Sequence, residues 1–417
     1  MCHSPGYTHI QNYRFRVKCN NMITKDFLNK YVYPVVVISG SIIGVGFFSL
    51  PYIAMKVGVW LMLAYFLILS IIVISIHLIF TKISLKTPDY KRFPGFVGYH
   101  LGNRGKVFSL CSTIISSYGV LLVYLIVGSE FLTNIMQPYF GGSSVLYALI
   151  YFLFVSIIIW LGIKAVAKVE LWVLCLLFLS MIFVFIKGFW HIELSNIFIS
   201  NFEFQTSNLF LPYGPILFSL WGVSLIPEVE EMVKGNKKSI NKIIIASTLI
   251  PMVFYIFFTF LILSITGSYT TESALIGLKD FLGNGAALVI FLIGMLTTIT
   301  ACIAQGLTLK KVFVYDLKIK NWQAFVMTCA VPLILFLLGL KSFIGLISFI
   351  GGVLLGIDGI LILLMYKKIY PVKSSEAGTS AKQKLFNYWV GGKKIIIYPL
   401  AIIFLLGIIY EIIYFIK

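Results

Sequence analysis

Charge is scarce in this chain, and acidic charge most of all. Of 417 residues only 12% are charged, and 15 carboxylates stand against 33 lysines and arginines. A soluble domain carries roughly 25% charged residues. With 59% hydrophobic residues and a mean hydropathy of +0.98, a soluble surface cannot be built. Disorder is excluded as well, because it requires low hydrophobicity. Cysteine is sparse too, at six residues. Cys111, Cys175, Cys302 and Cys329 lie in apolar stretches, and Cys2 and Cys19 lie in a basic N-terminal tail. None has metal-ligand spacing, so neither a metal nor a disulfide is expected. No Walker loop, Ser–His–Asp set or metal-ligating motif occurs, which argues against an enzyme and against a cofactor. No signal peptide is visible, because the tail is too long for an n-region and no small-residue cleavage site follows a short apolar core.

What the chain has in abundance is long apolar runs. A membrane-spanning helix needs roughly 20 mostly apolar residues. Eleven such stretches occur, near 32–54, 57–81, 107–135, 144–162, 169–190, 209–230, 243–266, 281–309, 323–340, 343–366 and 395–416. They are continuous rather than alternating, which excludes β-barrel strands. The expected fold class is an all-α polytopic membrane protein. The net charge of +18 would point to nucleic acid in a soluble protein, but its placement points elsewhere. With eleven spans and an internal N-terminus, 28 of the 33 Lys and Arg residues fall inside. Only Lys56, Lys187, Lys279, Lys341 and Lys417 fall outside. That asymmetry is the positive-inside rule, with anionic lipid as a further partner for the basic loops. The expectation is a multi-pass protein of the cell (inner or plasma) membrane, N-terminus cytoplasmic and C-terminus outside, with no nucleic-acid partner.

Two spans are not ordinary helix. The first holds Gly40-Ser41-Ile42-Ile43-Gly44-Val45-Gly46 and then Leu50-Pro51. Glycine weakens a helix by about 1 kcal/mol per residue relative to alanine. Close helix packing through Gly40 and Gly44 is the alternative use of the same residues. The sixth span holds Phe218-Ser219-Leu220-Trp221-Gly222-Val223-Ser224 and then Pro227. Both breaks read Gly-Val-small, apolar residues, Pro. They sit five spans apart and run in opposite directions, the pattern of an inverted repeat whose halves each open on an interrupted helix. The chain therefore divides into a cytoplasmic tail (1–30), a first five-helix repeat (31–190), a second (209–366), a basic cytoplasmic loop (367–394) and a final span (395–417). Unwound backbone in hydrocarbon is tolerated only where something polar fills the gap. Free N–H groups suit a carboxylate, and free C=O groups suit an ammonium or a small cation. A site that takes both ends of a zwitterion is an amino acid site.

The string GSIIGVGFFSLP resembles the glycine-rich first helix of the amino acid–polyamine–organocation (APC) superfamily. The segment FSLWGVSLIPEVEEMVKGNKKSINKIII, from Phe218 to Ile245, resembles its sixth helix and following loop. The span count is similar to the amino acid/auxin permease branch, which includes tyrosine and tryptophan permeases. The resemblance covers roughly residues 30–370. It implies the LeuT-like fold, with helices 1 and 6 unwound mid-membrane, and secondary amino acid transport by alternating access. It places the substrate at Gly40, Ser41, Ile42, Gly44 and Gly46 of the first break and at Phe218, Ser219, Trp221 and Gly222 of the sixth. Trp221 stands where many members carry an acidic or extra glycine residue, and it would narrow the pocket or gate it. Tyr118, in the third span, is the candidate for a bond to the substrate carboxylate.

Two coupling ions stay open. Carried over by position, a sodium site would take the carbonyls of Gly40, Ile43 and Gly294 and the hydroxyls of Thr297 and Thr298, five oxygens suited to a hard cation. Threonines in membrane helices also bond back to their own preceding turn. Proton coupling needs a titratable intramembrane group, for which Glu130, Lys168 and Asp358 are candidates, with Lys164 beside them. Glu228, Glu230 and Glu231, near Lys234, Lys237 and Lys238, form a candidate cytoplasmic gate. The apolar lining of Ile42, Phe218, Trp221 and Val223, with no carboxylate at either break, predicts a neutral substrate, aromatic or branched. A non-transporting amino acid sensor or germinant-type receptor on the same scaffold is the alternative. Nothing in the sequence sets an oligomeric state, and a monomer satisfies it.

Overall fold

A computed structural model describes residues 31–88, 91–162, 166–197, 208–233, 239–370 and 394–416. The tail 1–30, most of the basic loop 367–394, Lys164 and the lysines at 234, 237 and 238 lie outside the described residues. Most of the described residues in the predicted apolar runs are helical. The first run is two helices, α1 (Tyr33–Ile42) and α2 (Leu50–Val57), joined by a tighter turn at Val45–Ser49. There follow α3 (Val59–Lys86), α4 (Phe93–Leu101), α5 (Asn103–Phe140), α6 (Ser144–Leu161) and α7 (Val166–Gly188). The sixth run is again two pieces, α8 (Tyr213–Leu220) and α9 (Ile226–Met232). Beyond it lie α10 (Ile240–Thr266), α11 (Lys279–Lys311) and α12 (Asn321–Leu337). The tenth run is α13 (Phe343–Phe349) and α14 (Leu355–Ile369), joined by a π-turn at Ile350–Leu354, and α15 (Lys394–Ile416) closes the chain.

Among the described residues, eight helices are long and apolar enough to cross a bilayer, and the bent pair in the first run makes nine. That pair bends by 50°. Helix α12 is apolar but only 17 residues long. The two halves of the sixth run are each too short to span. Local chemistry explains the interruptions. Pro51 and Pro227 do not end helices; each sits in the first turn of the second half-helix, α2 and α9. There the missing N–H costs nothing and the fixed φ favours helix. Corners are made by glycine in left-handed backbone, at Gly58 (φ 82°) between α2 and α3 and at Gly102 (φ 89°) between α4 and α5.

The packing places the two broken runs at the centre. Helix α5 lies against α11, and α11 against α7. Helix α10 packs on α1 and α3, and α8 packs on the Val45–Ser49 turn and on the π-turn of the tenth run. The last contact is nearly backbone on backbone, since a Cβ at Gly351 would lie 1.9 Å from the Gly214 carbonyl oxygen. The amphipathic helix α4 was not foreseen. It lies beside α5 and α14, and Arg92 at its start pairs with Asp316 at 2.9 Å.

Candidate substrate site at two helix breaks

Helix α1 ends at Ile42. Ile43 (φ −76°, ψ 74°) and Gly44 (φ −100°, ψ −157°) leave helical geometry. Helix α8 ends at Leu220, with Trp221 extended (ψ 117°) and Gly222 at φ −130°. The two breaks face one another. A Cβ at Gly46 would lie 2.5 Å from Ser219 Oγ and 2.6 Å from Phe218 Cδ1, and one at Gly222 would lie 2.8 Å from Ile42 Cδ1. Glycine is required at both positions for this approach. Ile42, Gly46, Phe218, Ser219 and Gly222 thus lie together where the two breaks meet.

The orphan backbone groups have identifiable partners. The Tyr255 hydroxyl, from α10, lies 2.8 Å from the Ile42 carbonyl and 2.9 Å from the Ser219 carbonyl. It has one proton for two acceptors, so it ties the ends of α1 and α8 together without satisfying both fully. The Gly222 N–H donates to His77 Nε2 of α3 at 3.1 Å. His77 Nδ1 lies 3.1 Å from Thr248 Oγ1, which donates to the Ile244 carbonyl at 3.1 Å. The Gly46 carbonyl accepts from Ser49 Oγ at 2.7 Å. Ser219 Oγ, by contrast, is buried with no hydrogen-bond partner. A lone hydroxyl of that kind costs about 1–3 kcal/mol, and a polar ligand group at the break would remove the penalty.

Other predicted residues fall elsewhere. Gly40 faces Leu174 of α7, where a Cβ would meet Cδ2 at 3.3 Å, and Ser41 is exposed. Tyr118 lies near Phe313, with ring centroids 6.3 Å apart. The third-span tyrosine that reaches the break is Tyr124, whose hydroxyl oxygen would be 3.0 Å from a Cβ at Gly44. Trp221 is partly buried at the break, edge-on to the His77 ring at 6.2 Å. Thr297 and Thr298 donate to the Ile293 and Met295 carbonyls of their own helix, both at 2.8 Å. Gly294 accommodates Phe131, 2.9 Å from where its Cβ would stand. Ile43 donates its N–H to Ser39 O at 2.9 Å.

Among the acidic candidates, Glu130 accepts from Ser273 of the outer loop, and Asp358 accepts from Ser112 Oγ at 3.4 Å. Glu230 accepts from Ser84 Oγ at 2.5 Å, while Glu228 and Glu231 are exposed. Lys168 is in α7, and its side chain lies outside the described residues. Three residues were missed. Tyr255 and His77 had no motif to mark them. Glu411 of α15 is only 2% exposed and packs on Gly214 and Gly352; a carboxylate in a span was its available signal. A separate small apolar pocket lies between α5, α6, α11 and α12, lined by Tyr151, Cys302 and Cys329 among others.

Two interrupted helices facing one another inside a helical membrane bundle define a transporter of the LeuT-fold class, and the comparisons agree. The structure matches that of MhsT in complex with L-phenylalanine, with a TM-score of 0.69 at 13% identity over 92% of this chain and 98% of that one. It also matches Mhp1, a nucleobase-cation-symport-1 family transporter in a closed conformation with bromovinylhydantoin bound, with a TM-score of 0.62 at 13% identity over 92% and 90%. The profile of the tryptophan/tyrosine permease family matches residues 28–414, and the chain belongs to that family. It is an APC-like amino acid permease, a multi-pass membrane transporter and not an enzyme. A search among curated proteins returns no match.

Proposed function

We propose that this permease imports a neutral aromatic amino acid by ion-coupled alternating access, gripping the zwitterion between the breaks at residues 43–46 and 219–222. Eleven spans, N-terminus inside and C-terminus outside, carry the two unwound helices to mid-membrane depth. The single observation behind the reading is the meeting of Gly46 with Ser219 and of Gly222 with Ile42. It puts peptide groups that have left the helical ladder, held by side chains of α3 and α10, and one buried hydroxyl without a partner into one place. Free N–H groups recognise the carboxylate, and free carbonyls with Ser219 Oγ recognise the ammonium. Phe218 and Trp221 supply apolar surface for the side chain. No carboxylate stands at either break to pair with a basic substrate. The family's name and the phenylalanine-bound neighbour favour tryptophan, tyrosine or phenylalanine.

Binding the substrate requires the breaks to part, since a methyl group does not fit at Gly46. Opening therefore alternates with the packed arrangement, as a carrier demands. The test is uptake of a labelled amino acid panel into proteoliposomes, with sodium and pH varied separately. Accumulation of aromatic amino acids against a gradient supports the reading. Tight binding with no flux under either gradient identifies a sensor instead. If sodium is the coupling ion, Thr298→Ala abolishes sodium stimulation of uptake. Unchanged stimulation removes Thr298 from the ion site.

A further inference from the structure

Among the described residues His77 is the one buried histidine, only 1% exposed, with Nε2 committed to the sixth-span break and Nδ1 to Thr248 of α10. Nε2 accepts from the Gly222 N–H, so Nε2 carries no proton. Nδ1 must then carry it and donate to Thr248 Oγ1, whose own proton goes to the Ile244 carbonyl. The hydrogen-bond chain thus holds the imidazole neutral and in one tautomer. The amide it caps lies in the break itself, between the end of α8 at Leu220 and the turn at Val223–Leu225.

We propose that His77 is the proton-coupling group of this transporter, with its Nε2 exchanging the Gly222 amide for a proton when the substrate carboxylate binds. This rests on the transporter reading above. Protonation at Nε2 turns an acceptor into a donor and expels the Gly222 N–H. The Nε2–H of the imidazolium then faces the Gly222 N–H, donor against donor, an arrangement disfavoured until an anion sits between them. The carboxylate of an amino acid is that anion. It accepts from the released Gly222 N–H on one side and from Nε2–H on the other. Proton and substrate therefore promote each other's binding, and the effect is reciprocal. When both leave, the neutral ring recaps the amide, so the empty carrier returns without a proton.

No charged group replaces His77 in this role at the break. The titratable residues on the elements packed against α3 are Tyr255 and Lys242 on α10, Asp358, Tyr366, Lys367 and Lys368 on α14, Glu228, Glu230 and Glu231 on α9, Tyr213 on α8, and Tyr52 and Lys56 on α2. On α3 itself are Tyr65, Lys82 and Lys86. Of these, Glu230 is held by Ser84, two turns along α3 from His77, and Asp358 by Ser112. Tyr255 is engaged with the carbonyls of Ile42 and Ser219. The two nitrogens of His77 meet only an amide and a hydroxyl.

The experiment measures affinity for L-tryptophan and L-tyrosine from pH 8 to pH 5.5 on the purified full chain, with proton uptake on binding read from buffer-dependent calorimetric heats. Affinity is expected to rise about tenfold as pH falls, a coupling of ordinary size, with proton uptake on binding. His77→Gln keeps an acceptor for the Gly222 amide but cannot titrate. It is expected to flatten the pH profile and abolish accumulation driven by a proton gradient, while substrate counterflow persists at a reduced rate. Should His77→Gln fail to fold, Thr248→Val decides. Losing the acceptor of Nδ1–H moves the pH midpoint of binding, and an unmoved midpoint overturns the proposal. Sodium-driven uptake with pH-independent affinity overturns it as well and leaves the transporter reading standing. A wild-type protein that neither binds nor moves any amino acid of the panel removes both.

Discussion

Tyr255 shows how much one atom can carry. Its hydroxyl joins the last carbonyls of two broken helices that are remote in sequence. Tyr255→Phe leaves both without that donor at a buried position. The expected cost is about 1–3 kcal/mol, measured by thermal unfolding in detergent. Gly46 and Ser219 make a complementary pair of predictions. Gly46→Ala drives a methyl into Ser219 Oγ. Overpacking of that kind costs the packed arrangement about 1–3 kcal/mol, measured as a lower unfolding temperature in detergent. Ser219→Gly in the same background restores part of the loss. Ser219→Ala alone removes a buried hydroxyl that has no partner in the empty site. It is expected to leave thermal stability unchanged or raised while weakening substrate binding, measured on one preparation.

At the scale of the element, the glycines and prolines of the first and sixth spans announced two interruptions, and the reason lies in the backbone. Glycine tolerates the turn, and proline opens the next half-helix. The π-turn at Ile350–Leu354 holds Gly351 and Gly352 but no proline, and there Gly351 lets the backbone of Gly214 approach closely. Helix α4 hid inside a basic loop. It is tied to the inner end of the eighth span by Arg92 and Asp316, both partly exposed. A half-exposed pair contributes about 0–1 kcal/mol. Asp316→Asn should therefore barely move the unfolding temperature. If the pair closes the inner face during the cycle, transport rate falls in that variant and returns when the charges are exchanged as R92D with D316R.

At the scale of the whole molecule, the asymmetry of lysine and arginine predicts an internal N-terminus and an external C-terminus, and labelling tests it. In a cysteine-free background, single cysteines at Lys279 and Lys341 should react with an impermeant thiol reagent added to intact cells, and one at Lys318 only after permeabilisation. Reaction of all three from one side would break the eleven-span arrangement. The two halves of the chain meet through α5 and α7 on α11, through α1 and α3 on α10, and through the Val45–Ser49 turn on α8.

Composition alone determined that this chain lives in a membrane and marked the glycine- and proline-bearing stretches of the first and sixth spans, because these follow from solvent transfer and from backbone freedom residue by residue. The grouping of Ile42, Gly46, Phe218, Ser219 and Gly222 was legible too, through the matched order of glycine, small residue and proline in the two spans. Tertiary structure alone decided that Tyr124 and not Tyr118 reaches Gly44, and that Tyr255 and His77 serve the bare peptide groups. Those pairings join positions far apart in sequence, through side chains in helices whose local pattern is indistinguishable from ordinary apolar span. A hydrogen bond between distant segments leaves no periodic trace, and only the packed bundle brings donor to acceptor.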